Sequence, residues 1–220
     1  MKSLVAALFS LGALTCTAAD LKTVEDRLQE FGQPVRGRLA PKFQAAGVEY
    51  PPAHVTLIGI KNERVLALHA AGADGQFRFI CSYPVLAASG RLGPKLREGD
   101  KQVPEGIYRV RELNPNSLYH LAVWLDYPNV FDLERAAEEN RTEPGSEIMI
   151  HGSDQSVGCL AMGDSASEDL FVLTALTGLE NVEVILTPVD FRRQTFAPPD
   201  GAPPWTAKLY EQIADELSRY

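Results

Sequence analysis

The stretch Ile148-Met149-Ile150-His151-Gly152-Ser153-Asp154-Gln155-Ser156-Val157-Gly158-Cys159 decides how this chain is read. Its first residues are apolar and strand-prone, the pattern of a buried strand. That strand delivers His151-Gly152, a short polar loop follows, and Gly158-Cys159 closes it. A nucleophilic cysteine needs a nearby base or cation to become a thiolate. A loop this short can fold back and bring His151 within hydrogen-bond reach of Cys159. Gly158 allows close approach of backbone to a substrate carbonyl, and the N–H groups around Gly158 and Cys159 are candidates for an oxyanion hole. The same residues also suit a core cysteine beside a satisfied histidine. Other chemistries fit worse. Zinc takes three or four ligands, and the segment offers His151 and Cys159 plus Asp154. A serine nucleophile elbow would read Gly-x-Ser-x-Gly, and Asp154 stands where its first glycine belongs. There is no phosphate loop of the Gly-x-x-x-x-Gly-Lys type, and the reading calls for no metal or cofactor.

Composition sets the frame around this segment. The chain has 220 residues, with 21 Lys+Arg against 29 Asp+Glu for a net charge of −8, 45% hydrophobic and 23% charged. These fractions exclude disorder as the main state. The acidic balance argues against a nucleic-acid partner, which requires a basic face. The length suits one domain with a sizeable core. Residues 1–19 read as an export signal: Lys2, an apolar run over 4–14, then Thr15, Cys16, Thr17, Ala18 and Ala19, with cleavage after Ala18 or Ala19. A retained anchor is one alternative, although the run is short beside the roughly 20 residues of a spanning helix; lipidation at Cys16 is another. Removal of the signal would leave Cys81 and Cys159, either joined as a disulfide or with a thiol kept free.

Along the mature chain, Leu21, Val24, Leu28 and Phe31 recur at helical spacing, and a second short helix is expected from Pro34, striped by Val35, Leu39 and Phe43. Short apolar runs at 54–60, 65–71 and 77–85, separated by turn residues, predict a meander of strands. Residues 86–105 are rich in Gly and Pro and read as a long structured loop, a kind of segment that often carries function. Further strands are expected at 107–110, 118–125, 147–151 and 181–187. Helices are expected at 130–139 and from Ser165 to about Leu176, the latter with Ser165 and Glu168 in capping-box spacing. A Pro-rich stretch at 197–204 precedes a last helix striped by Trp205, Leu209, Ile213 and Leu217. Strands and helices do not alternate regularly, so the expectation is a β-rich α+β domain.

Within this frame the residues resemble a known family, the L,D-transpeptidases of the YkuD type, whose signature is His-Gly, a loop, then Ser/Thr-His-Gly-Cys. Here it reads His151-Gly152, then Ser156-Val157-Gly158-Cys159. Ala161-Met162 after the cysteine and the shortened loop are similar to the YafK-like branch. Upstream blocks fit the same branch: 89–95, 99–108 and 114–121, then Tyr127-Pro128-Asn129, and Phe191-Arg192 downstream. The resemblance spans about residues 77–195. It divides the chain into a signal peptide (1–19), an N-terminal helical segment (20–50), a catalytic domain with the L,D-transpeptidase fold (51–195), and a Pro-rich linker with a C-terminal helix (196–220).

The resemblance implies a cysteine enzyme, transferase or hydrolase, that acts on peptidoglycan stem peptides in the periplasm or cell envelope, in cell-wall biogenesis and cell shape. Cys159 would be the nucleophile, His151 the general base and acid, and the Gly158 backbone part of the oxyanion hole. A thioester would form with a stem peptide at diaminopimelate and pass to an amine or to water. The branch includes an amidase that detaches a lipoprotein from peptidoglycan, which makes a peptidoglycan-linked lipoprotein a second candidate partner. A non-catalytic peptidoglycan-binding protein is the competing reading. A monomer is expected, with no nucleic-acid partner. Candidate substrate contacts are Gly152, Ser156, Tyr119, His120 and Lys95, with Arg91 a further cation in the Gly-rich loop. Two departures stand out. Val157 replaces the second histidine of the signature, leaving His151 as its base, and the usual arginine after the cysteine is absent, Leu160 and Ala161 standing there. A contact to a substrate carboxylate is therefore lost or supplied from elsewhere.

Overall fold

The computed structural model describes residues 21–220; the export-signal reading of 1–19, with Cys16, lies outside the described residues. The first helix, α1 (Val24–Ala45), starts on a capping box. The Thr23 hydroxyl accepts from the Asp26 N–H at 3.1 Å, and the Asp26 carboxylate accepts from the Thr23 N–H at 2.7 Å. Two short helices were expected here; one 22-residue helix runs through both Pro34 and Pro41 instead. An interior proline costs a helix about 3 kcal/mol. Val35, Leu39 and Phe43 lie on one face at 0% exposure, and burying each stabilises by about 1.5–3 kcal/mol. Tertiary packing therefore overrides the local rule.

The strands are β1 (Val55–Ile60), β2 (Val65–Ala71), β3 (Phe77–Pro84), β4 (Gly106–Ser117), β5 (His120–Leu125), β6 (Met149–His151), β7 (Leu160–Ala161) and β8 (Val182–Thr187). They form one eight-stranded sheet in the order β3-β2-β1-β8-β4-β5-β6-β7. The β1–β8 and β6–β7 pairs are parallel and the others antiparallel. With α2 (Val130–Glu138), α3 (Asp164–Thr177) and α4 (Thr206–Leu217), this is the expected α+β architecture. The central strands are buried on both faces, which explains their continuous apolar runs. Along β1, Val55 and Leu57 join the core under α1 and α3, while Ile58 and Ile60 join a second core under α4 with Leu209, Ile213 and Leu217.

Two features place the site. The chain leaving β3, at one edge of the sheet, crosses to the other edge and bridges β7: Leu86 N–H donates to Ala161 O at 2.9 Å and Ala161 N–H to Ala87 O at 3.0 Å. The bridge covers an otherwise open edge and starts the Gly-rich loop beside Cys159. That loop is pinned from below by the buried Glu105 carboxylate, which accepts from Lys61 Nζ at 2.8 Å, Gly93 N–H at 2.7 Å and Tyr210 Oη of α4 at 2.7 Å. Helix α3 departs from its expected start: Gly163 is the N-cap with no side-chain cap. Glu168 instead pairs with Arg38 of α1 at 2.9 Å and meets His120 Nε2 at 3.2 Å.

Candidate active site

β6 and β7 run parallel, with Ile150 opposite Leu160 and His151 opposite Ala161. Side chains alternate along strands. Cys159, two residues before Ala161, therefore lies on the same face as His151, diagonally across the pair. Both line one cleft of about 300 Å³, together with Tyr119, Glu98, Glu147 and Gln155. Sequence spacing proposed the pair, and the short parallel ladder is what brings the two residues together. Cys159 and Cys81 are both free thiols, so the disulfide alternative is not realised.

His151 is 1% exposed, and its Nδ1 lies 2.6 Å from the carbonyl of Gly152. A carbonyl only accepts, so Nδ1 carries the proton and donates. The Nε2 lone pair is thereby left free to take a proton. The Tyr119 ring stacks on the imidazole with centroids 4.6 Å apart, fixing the plane of the base. Gly152 is required by close approach: a Cβ there would come within 2.7 Å of the Tyr119 carbonyl and the Asp164 carboxylate. Gly152 thus orients the base through its carbonyl.

Cys159 is 7% exposed, and its thiol points to the Glu147 carbonyl at 3.7 Å. Burial pushes the thiol above its ordinary value, opposed by a backbone hydrogen bond and by the nearby Lys95 charge. Burial likewise holds His151 below its ordinary value, against the hydrogen bond to Gly152. At rest both groups favour their neutral forms, and no hydrogen bond joins them among the described residues. The pair is a neutral thiol beside a neutral base, not a pre-formed thiolate; such contacts often tighten only when substrate binds.

The loop between them is held at both ends. Ser156 Oγ donates to the Cys159 carbonyl at 2.5 Å. Gly158 (φ +102°) donates its N–H to Ser89 Oγ at 2.7 Å, and Ser89 Oγ donates in turn to the Lys101 carbonyl at 2.7 Å. The Gly158 N–H is thus already occupied, whereas Cys159's own N–H has no hydrogen-bond partner among the described residues. Sequence reasoning missed Ser89, 69 residues from Gly158; only its place beside Gly90 in a Gly-rich loop hinted at it. Glu98, Ser146 and Glu147 in and beside the cleft were missed too, since isolated polar residues in loops carry no pattern.

The remaining candidates divide. Tyr119 lines the cleft. His120 does not: its ring is tied to Glu168 and edge-packed on Phe31 at 5.4 Å. Lys95, with a side chain 4% exposed, is bound to Asp100 at 2.6 Å and to the Arg97 carbonyl at 2.9 Å, so it acts on Cys159 through its field. Among the described residues no three His, Cys, Asp or Glu are grouped to hold a metal ion.

Comparison with known proteins agrees with this architecture. Residues 56–186 match YkuD, the L,D-transpeptidase catalytic domain family. The YafK protein of Escherichia coli K12 is 37% identical over 133 residues, which is 58% of this chain and 51% of that protein. Its O157:H7 counterpart matches equally. The chain spans about half the length of these curated relatives. Among solved structures, the helical cell shape determining protein Pgp2 of Campylobacter jejuni aligns with a TM-score of 0.50 at 21% identity, covering 75% of this chain and 53% of that one. A point mutant of it aligns at 0.51 and 19% identity, covering 89% of this chain and 61% of that one. At such identities the likeness is one of fold alone. The family match covers the sheet from β1 to β8 and with it the His151–Cys159 cleft, and the identity to YafK extends over 133 residues: this chain belongs to the L,D-transpeptidase catalytic-domain family of the YkuD type, in its YafK-like branch.

Proposed function

We propose that the protein is a cysteine-dependent enzyme of the bacterial envelope that acts on peptidoglycan stem peptides at diaminopimelate. One observation carries this reading: the buried His151, its tautomer fixed by the Gly152 carbonyl at 2.6 Å, shares a cleft with a free Cys159. In the proposed cycle His151 Nε2 takes the Cys159 proton as Sγ attacks the acyl carbonyl. The Cys159 backbone N–H donates to the developing oxyanion. The intermediate collapses, the departing amine takes the proton from His151, and a thioester remains. An incoming amine or water, deprotonated by His151, attacks the thioester and restores the thiol. Glu98 and Glu147 at the cleft favour a cationic amine as leaving group or acceptor. Such an amine fits both cross-link exchange and release of a lysine-linked lipoprotein. Export through residues 1–19 belongs to the same proposal.

The test is digestion of diaminopimelate-type sacculi, with and without attached lipoprotein, by the wild type and Cys159→Ala, read by mass spectrometry of the muropeptides. New 3→3 cross-links or exchanged amino acids that the variant does not produce establish a transpeptidase. Release of lipoprotein or terminal residues without new cross-links establishes a hydrolase. Full turnover by Cys159→Ala, or no Cys159-dependent change in either preparation, refutes the cysteine mechanism.

A further inference from the structure

The Gly-rich loop that reaches Cys159 has two sides. Through Glu98 it borders the catalytic cleft; through Gly90–Pro94, Leu96 and Arg97 it walls a second cleft of about 540 Å³. The opposite wall is the Pro-rich segment 199–203. The two walls meet at Gly93, where a Cβ would press to 3.3 Å from Pro199. This second cleft is larger than the catalytic one, and its charge is opposite in character.

The charged side chains lining it are Arg91, Arg97, Arg141, Asp100 and Asp200. Asp100 is turned into the loop, where its carboxylate accepts from Lys95 Nζ at 2.6 Å and from the N–H groups of Leu96, Arg97 and Gln102 at 3.0–3.1 Å. Arg141 is partly engaged, donating to Glu139 at 2.7 Å and to the Leu96 carbonyl at 2.6 Å. Arg91 and Arg97 are exposed and enter the bonding of the loop through their backbones. Neither guanidinium has a partner among the described residues, and Asp200 is the one carboxylate left to oppose them. The backbone beneath Arg91 is fixed: the Gln102 side chain accepts from the Arg91 N–H at 2.9 Å and donates to the carbonyls of Arg91 and Gly93 at 2.5 and 2.6 Å. The catalytic cleft, by contrast, is lined by Glu98 and Glu147, with no Lys or Arg among the described residues.

A carboxylate-rich ligand is repelled by the second of these linings and held by the first. A guanidinium matches a carboxylate with two parallel donors, and on a chain of net charge −8 an anionic ligand is guided to the few places where cations are unpaired. We infer that the cleft between the Gly-rich loop and residues 199–203 is a second substrate site, binding free carboxylates of a peptide through Arg91 and Arg97. The inference rests on the reading that the catalytic cleft acts on stem peptides. It assigns carboxylate recognition to the far side of the loop and leaves the amine end to the acidic catalytic cleft.

The test uses full-length Cys159→Ala, which binds without turnover, titrated with a diaminopimelate-type disaccharide tetrapeptide and followed by backbone amide NMR shifts. The expected result is movement at Gly201 and Ala202 as well as at Met149 and Gln155. Adding Arg91→Ala and Arg97→Ala, both exposed and without side-chain partners, is expected to weaken the Gly201–Ala202 response about tenfold while the catalytic-cleft shifts persist. Amidating the ligand's carboxyl groups is expected to do the same. Shifts confined to the catalytic cleft overturn this inference alone, as does a second-cleft response that survives both arginine substitutions or ligand amidation. Shifts confined to the second cleft overturn the proposed function instead, and silence at both sites overturns the two together.

Discussion

Cys159 is expected to be a thiol at neutral pH, and its alkylation gives the sharpest check on the site. A thiol at the ordinary value of 9.0 is about 1% ionised at pH 7, and burial places Cys159 below that fraction. Iodoacetamide reacts with the thiolate, so the labelling rate is expected to rise about tenfold per pH unit from pH 6 to 9, with no plateau near neutrality. His151→Ala is expected to leave that profile nearly unchanged, because no hydrogen bond joins the two side chains at rest. Turnover is expected to fall about 10²–10⁴-fold in the same variant, the usual contribution of a general base. The separation between labelling and turnover is the signature of a base that works only during attack. With His151 held below its ordinary value of 6.5 by burial, the imidazole stays neutral into mildly acidic solution, and the acid limb of kcat/KM is expected below pH 6.5. The measurement is mass-spectrometric labelling of Cys159 against pH in wild type and His151→Ala. A wild-type plateau at or below pH 7 that vanishes in His151→Ala would refute the reasoning, since it would mean a thiolate–imidazolium pair exists before substrate arrives.

Three more predictions follow from named contacts. Ser89→Ala strips the Gly158 N–H and the Lys101 carbonyl of their shared partner at 2.7 Å, for a loss of about 1–2 kcal/mol; kcat is expected to fall more than KM rises, with recovery in Ser89→Thr, and an unchanged kcat would reduce Ser89 to scaffolding. Lys95→Met breaks a pair with Asp100 whose side chains are 4% and 15% exposed; the cost by urea unfolding is expected near 3 kcal/mol, the lower end for a buried pair because three backbone donors remain on Asp100, and a cost below about 1 kcal/mol would contradict the pairing. His69, 6% exposed with Nδ1 unpartnered, is held by burial at about 4, below its unfolded value. Its contribution is complete above pH 6.5 and is lost as pH falls toward 4, so wild type is expected to lose about 3 kcal/mol more than His69→Leu over that window; equal acid sensitivity of the two would sink this assignment.

The strands were legible because burial on both faces leaves long apolar runs, as in β2, expected and observed at Val65–Ala71. Helix α1 was misread as two because Pro34 obeys a local rule that the buried stripe of Val35, Leu39 and Phe43 overrides. Ser165 looked like a cap, but α3 starts one residue earlier, at Asp164, from Gly163 (φ +77°), and a glycine there leaves no side-chain signal. The nucleophile and base were legible from His151-Gly152 and Gly158-Cys159, whose spacing a two-residue parallel ladder satisfies. The roles of His120 and Lys95 were not legible. Each depends on a partner, Glu168 or Asp100, and on whether the side chain faces the cleft or the scaffold. The protonation of Cys159 and His151 depends on burial, which spacing does not encode.

Backbone strain separates the site from the scaffold more sharply than composition does. Of the six non-glycine residues with positive φ among the described residues, His120, Lys101, Glu147 and Ser153 all touch the catalytic arrangement. Glu147 presents its carbonyl to the Cys159 thiol, and the Lys101 carbonyl holds Ser89. Ser153 follows His151-Gly152 and is fixed by its N–H to Asp164 at 2.9 Å and by its carbonyl to the Gly163 N–H at 2.9 Å. His120 packs against Gly152, where a Cβ would meet its own at 2.9 Å. Each such conformation costs about 1–3 kcal/mol and persists only where its surroundings over-determine it. The partners of these residues come from α1, α3 and the Gly-rich loop, so parts of the fold far apart in sequence hold the same few peptide units in place. A loop free to relax would release that strain and let the Gly152 carbonyl, and with it the orientation of His151, drift; the packing of α1 and α3 is therefore as much a condition for the base as the histidine itself.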